Sequence, residues 1–185
     1  MHPMVLTKEE AIAALQNEVR LVIHLISKIE PSMLDYRPSP KQRSLIELVR
    51  YFVVMAPVQL RFVVAGNFTM EIWVQVWRAE AAAANALSLD QAKAAIAKQP
   101  ALFSELLAPL TDADFREEIE MFGNKTTRGT WVVRLPLTHY AAYRMQLFLY
   151  LKACGRDELN TMNLWAGIDA SAGPPPIFER AKGRG

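Results

Sequence analysis

A chain of 185 residues is long enough for one domain with a sizeable core. With 51% apolar residues, 22% charged residues and a net charge of +2, it lies in the ordinary globular range. No basic run precedes the C-terminal "ERAKGRG", which excludes a nucleic-acid footprint along the body of the chain, and the one cysteine, Cys154, excludes an intrachain disulfide.

Thr7 and Glu10 form a capping box that opens the first helix. Ile12, Leu15, Val19, Val22, Ile23, Ile26 and Ile29 then recur at helical spacing until Pro31 stops it. The N-terminal stretch "MHPMVLTKEE" turns acidic at once and has no apolar signal-peptide core, so a reducing cytoplasm is the expected setting. "LDYRPSPKQR" is expected to be extended, because each proline disfavours the α region in the residue before it.

A second capping box, Ser44 with Glu47, opens a helix that runs through Leu48, Phe52 and Val53 to Gly66, with a kink expected near Pro57. Its apolar run at 51–66 is broken by Pro57, Gln59 and Arg61 and falls short of a bilayer span, so no membrane partner is expected. Next, "FTMEIWVQVW" alternates weakly like a strand and "RAEAAAANAL" favours helix, which predicts a loop followed by a short helix over 67–87.

Ser88 and Gln91 open a third helix, "LDQAKAAIAKQPALFSELLAPL", that Pro100 bends or divides. Alternation around a Gly-Asn turn predicts a small hairpin or extended excursion at 115–127. A fourth helix runs from about Thr130 to Ala153, distorted early by Pro136 and ended by Gly155 as a left-handed cap. Residues 160–185 hold too many breakers for a helix. Leu164, Trp165, Ile177 and Phe178 would each gain roughly 1.5–3 kcal/mol from burial, so a tail packed on its own domain or on a second subunit is expected. Four long amphipathic helices without repeat or linker predict an all-α four-helix bundle at about 7–155, with an irregular tail at 156–185, in a single domain 1–185.

The chain has no nucleophile elbow, phosphate-cradling glycine loop or Cys-x-x-Cys pair. Cys154 ends a helix, where the negative dipole end disfavours a thiolate, so it reads as inert. His139 and Tyr143 stand four apart, on one helix face. Two histidines at that spacing would mark a metal site, whereas this pair leaves a depleted metal centre, another kind of site and a plain core all open. Trp73 and Trp77, with Ile72 and Val76, read either as a partner-facing patch or as core.

Four stretches in order carry a family resemblance: "IEPSMLDYRPSP", "RSLIELVRYF", "LLAPLTDADF" and "LTHYAAYRMQLFLYLKACG". Over about residues 7–155 the chain resembles the DinB-like four-helix-bundle proteins. The last stretch is similar to their histidine-x-x-x-histidine-arginine-x-glutamine helix, and the second to the Arg-Ser-Leu opening of their second helix. The resemblance implies a small-molecule pocket between the helices and relatives that are metal-dependent thiol transferases or a thiol-dependent isomerase. It also implies three histidines holding a divalent ion such as Zn²⁺ or Ni²⁺. At the matching positions this sequence has Tyr51, His139 and Tyr143, so one histidine of three is kept. A neutral tyrosine is a poor ligand at pH 7, and no cofactor is expected. Arg144 and Gln146 also match, Arg144 as a partner of Glu18 or Glu47 and Gln146 as a brace.

If helices one and two are antiparallel neighbours, His24 comes level with Tyr51. A pocket of His24, Glu47, Tyr51, His139 and Tyr143 could then be a polar small-molecule site without metal, a rebuilt metal site on His139 and His24, or a set of locally satisfied side chains. The leading expectation is a small-molecule binder lacking the family's metal. The alternatives are a metal-dependent thiol transferase or hydrolase with a rearranged site, and a homodimeric interaction protein using residues 72–77 and the tail.

Overall fold

The three expected capping boxes all form, and each starts a helix: Thr7 before α1 (Lys8–Ile26), Ser44 before α2 (Leu45–Ala65) and Ser88 before α4 (Leu89–Ala97). The computed structural model describes residues 6–169. Between α2 and α4 lies α3 (Met70–Asn85), and after α4 come α5 (Gln99–Leu107) and α6 (Asp112–Arg116). A hairpin of β1 (Glu118–Met121) and β2 (Asn124–Thr127) leads into α7 (Arg128–Val132), a π-helical turn at Val133–Leu137 and α8 (Thr138–Ala153).

The bundle consists of α1, α2, the α4–α5 pair and α8. Both α1 and α2 pack on α4, α5 and α8 but share no substantial contact with each other, so they stand at diagonal corners. The condition under which His24 would come level with Tyr51, α1 beside α2, is therefore not met. Residues 27–44 cross the end of the bundle instead of turning back. They are held there by the Pro31–Met33 turn and by bonds from the Leu45 and Ile46 amides to the Tyr36 and Leu34 carbonyls. Leu15, Val22, Leu48, Phe52, Met55, Phe103, Tyr140 and Leu147 are fully buried in one continuous core. Among the described residues α2 alone is long and apolar enough to cross a membrane, and 67% of its apolar window is buried in this core.

The region 67–87 also differs from expectation. Met70–Trp77 is helical, part of a 16-residue α3 capped by Thr69. Trp73 and Trp77 fall one turn apart and stack at 5.5 Å, and Trp73 packs on Phe62 at 5.1 Å. That helical pairing outweighs the weak strand-like alternation.

The hairpin forms as expected, with Phe122 (φ 52°) and Gly123 (φ 71°) in a type I′-like turn. Phe122 is unusual as a non-glycine residue at positive φ. Its ring is held against Phe68 at 4.4 Å and Trp73 at 5.2 Å. Pro100 divides the third helix region into α4 and α5, and Gly155 (φ 91°) caps α8.

The beginning of the tail packs back on the bundle. Met162–Ala166 makes one π-helical turn that buries Asn163 and Leu164, tied to α1 by Arg20 donating to the Ala166 carbonyl at 2.9 Å. Trp165, expected to be buried, is 61% exposed beneath the Arg144 guanidinium. Ile177, Phe178 and the rest of the tail lie outside the described residues.

Candidate functional site

Pro136 lacks the N–H that a regular helix would donate to Val132, and the chain responds with the wider turn at Val133–Leu137. The backbone N–H and the hydroxyl of Thr138 both donate to the Val133 carbonyl, the hydroxyl at 2.7 Å. His139 follows directly, on the first turn of α8, with Tyr143 one turn further.

The three positions that the resemblance matches to histidine ligands meet in space. Tyr51 on α2 packs edge-on against Tyr143 at 4.7 Å, and Tyr143 packs on His139 at 6.1 Å. Burial, together with a hydrogen bond to Tyr143, pushes the Tyr51 phenol well above its usual pKa, with the Arg43 guanidinium 4.0 Å over its ring opposing this. Burial alone lowers the pKa of His139, which is therefore neutral at pH 7. The donor set at these positions is one imidazole and two phenols without a carboxylate or thiolate. Among the described residues no group of three His, Cys, Asp or Glu is placed to hold a metal ion. Such a set does not fit the three anionic or imidazole ligands of a zinc centre.

His24 belongs elsewhere, whereas Glu47 shares a cavity wall with Tyr51. Asn163 lies 3.2 Å from Nε2 of His24 and Asp169 lies 3.7 Å from it, both in the C-terminal segment. With α1 and α2 diagonal, His24 does not join Tyr51 and His139. Burial first, then Lys28 and Arg20, lower its pKa against the opposing pull of Asp169. Glu47 accepts from the Ser44 amide at 2.7 Å and pairs with Arg37 at 3.4 Å, which hold its carboxyl below the usual range. It edges a cavity of about 250 Å³ with Arg43, Arg50, Tyr51 and Trp77. Arg144 chooses Glu18, at 2.8 Å, and Gln146 donates to the Tyr150 hydroxyl at 2.7 Å.

The residue that sequence reasoning passed over is Gln59. It sits two turns beyond Tyr51 on α2, is 2% exposed, and its amide meets Nδ1 of His139. Its Oε1 is the one buried side-chain polar atom among the described residues with no hydrogen-bond partner. Reversing the amide would satisfy the oxygen and orphan the nitrogen instead, so one amide end is unpaired in either orientation. A cavity of about 280 Å³ opens beside it, lined by Tyr51, Gln59, Trp73, Trp77, Arg78 and His139. A glutamine interrupting the most apolar run of the chain was the available signal.

No protein-family model matches the chain, and no curated protein matches it in sequence. Among solved structures it is similar to a DinB-like protein, YjoA, from Bacillus subtilis, at 18% identity and a TM-score of 0.62. That match covers 82% of this chain and 95% of the other. The fold of this chain is therefore the DinB-like helical fold.

Proposed function

We propose that the cavity between α2, α3 and the start of α8 binds a small organic molecule and holds no resident metal. The observation that carries this reading is the cavity itself, about 280 Å³ and lined by Tyr51, Gln59, Trp73, Trp77, Arg78 and the half-buried His139. Stacked Trp73 and Trp77 supply an apolar wall, and neutral His139 supplies a polar contact. At about 280 Å³ the space sits at the small end of ligand cavities, which run from about 300 Å³ upward.

The test is a panel of small planar compounds screened by melting temperature on untagged protein, with the metal content of the same sample measured. Compounds that raise the melting temperature of the wild type and not of Gln59→Leu are expected, in protein free of stoichiometric metal. Stoichiometric zinc or nickel that is lost in His139→Ala would overturn the reading.

A further inference from the structure

We infer that the neighbouring cavity at the head of α2 is a second binding site, which takes the oxyanion of a small molecule, a carboxylate or a phosphate, on Arg43 and Arg50. This site is independent of the ligand proposed for the cavity beside His139. The two cavities share only Tyr51 and Trp77, whose rings pack at 5.7 Å.

The second cavity, of about 250 Å³, carries an excess of positive charge. Two guanidinium groups line it, those of Arg43 and Arg50, against the one carboxylate of Glu47. Glu47 is already engaged, accepting from the Ser44 amide at 2.7 Å and pairing at 3.4 Å with Arg37, a third guanidinium. Neither Arg43 nor Arg50 has an ion-pair partner among the described residues. A cavity with this lining repels a cation and offers hydrogen-bond donors that lack an acceptor.

Both guanidinium groups are held in place without a carboxylate. Nε of Arg50, a half-buried residue, donates to the Leu87 carbonyl at 2.8 Å, just beyond the end of α3. That bond ties the side chain between α2 and α3, and its terminal nitrogens make no hydrogen bond among the described residues. Arg43 is exposed, but its guanidinium lies 4.0 Å over the Tyr51 ring and 5.9 Å from that of Tyr143. Stacking uses the face of a guanidinium and leaves the N–H groups around its edge to donate. Such edges match the paired oxygens of a carboxylate or phosphate, and anchoring the side chains beforehand lowers the entropy lost on binding. Tyr51 and Trp77 leave an aromatic wall for the organic part of the molecule.

The experiment titrates the full chain with benzoate, inorganic phosphate and neutral benzamide, followed by calorimetry, with melting temperatures confirming that each variant is folded. Saturable one-site binding of an anion is expected, about tenfold or more tighter than that of benzamide and weakened by added salt. Tighter binding of benzoate assigns the site to an organic acid, and tighter binding of phosphate assigns it to a phosphate ester. Arg43→Gln, which removes no hydrogen bond of the fold, and Arg50→Gln should each weaken the anion about tenfold or more. Lys125→Gln removes the same charge from the hairpin and should leave the affinity unchanged. Benzamide binding as tightly as the anions, anion affinity unaltered in both arginine variants, or no saturable anion binding at millimolar concentration would each overturn the assignment. Those outcomes leave the reading of the cavity beside His139 in place, because Arg43 and Arg50 do not line it.

Discussion

The side chain of Gln99 donates to the carbonyl of Val53 at 3.2 Å, and Val53 is the residue whose carbonyl Pro57 leaves without a helical partner. The same amide nitrogen reaches the Phe52 carbonyl at 2.9 Å, and its oxygen accepts from the Tyr140 hydroxyl. One buried glutamine on α5 thus allows a proline in the middle of α2 and joins α2 to α8 directly beside His139.

Gln99→Leu should therefore destabilise the fold by about 1–3 kcal/mol, since buried partners are left unsatisfied. Pro57→Ala restores an N–H for Val53 and should recover part of that loss in the Gln99→Leu background. Urea unfolding of the four proteins reads the coupling, and strict additivity of the two changes would refute it.

A second prediction concerns Arg144 and Glu18, whose side chains are only 3% and 14% exposed. Removing Glu18 alone leaves a buried guanidinium that also donates to the Leu164 carbonyl. Glu18→Ala should cost about 3–5 kcal/mol, whereas the double change with Arg144→Met should lie much closer to wild type. Equal losses in the single and double variants would show that the pair is not the source.

Two left-handed glycines allow a cleaner comparison. Gly66 and Gly155 have φ of 69° and 91°, but a Cβ at Gly66 would come within 2.8 Å of the buried Arg128 guanidinium, and one at Gly155 would meet nothing within 4 Å. Arg128 in turn bonds the Val63 carbonyl, the Asp114 carbonyl and Glu117. Alanine at Gly155 should cost about 1–2 kcal/mol from conformation alone, and alanine at Gly66 distinctly more. Equal melting temperatures for the two variants would contradict the role given to Arg128.

The pH dependence follows from two histidines with lowered pKa. Well above pH 6.5 both are neutral in folded and unfolded chains, so neither contributes to the pH slope there. As the pH falls through 6.5, the unfolded chain takes up protons that the folded histidines refuse, and stability declines. Unfolding free energies between pH 7 and pH 5 should fall, less steeply in His139→Gln and in His24→Gln. A flat or rising profile in the wild type would contradict the burial of these rings.

Much of this architecture was legible in the sequence because its signals are local. The boxes at Thr7, Ser44 and Ser88, the turn at Gly123 and the cap at Gly155 depend on neighbours within a few residues. The failures are those of long-range geometry. Nothing local says whether residues 27–44 turn back or cross the bundle, so His24 was set beside Tyr51 when it belongs with Asn163 and Asp169. The alternation in residues 70–77 was a local signal overruled by Trp73 and Trp77 packing on α2. At the site, Tyr51, His139 and Tyr143 stand together in space, whereas Gln59 shows in the sequence only as a polar break in an apolar run, because its meaning lies in a missing partner.

That missing partner can be observed directly by nuclear magnetic resonance. The side-chain amide signals of Gln59, assigned by their loss in Gln59→Leu, would be followed during addition of a planar organic compound that raises the melting temperature and, separately, of one equivalent of zinc. Saturable movement of the Gln59 amide and of the Trp73 and Trp77 indole signals with the organic compound, and none with zinc, is expected. Tight, stoichiometric perturbation of His139 by zinc, with the Gln59 signals indifferent to the organic compound, would contradict it.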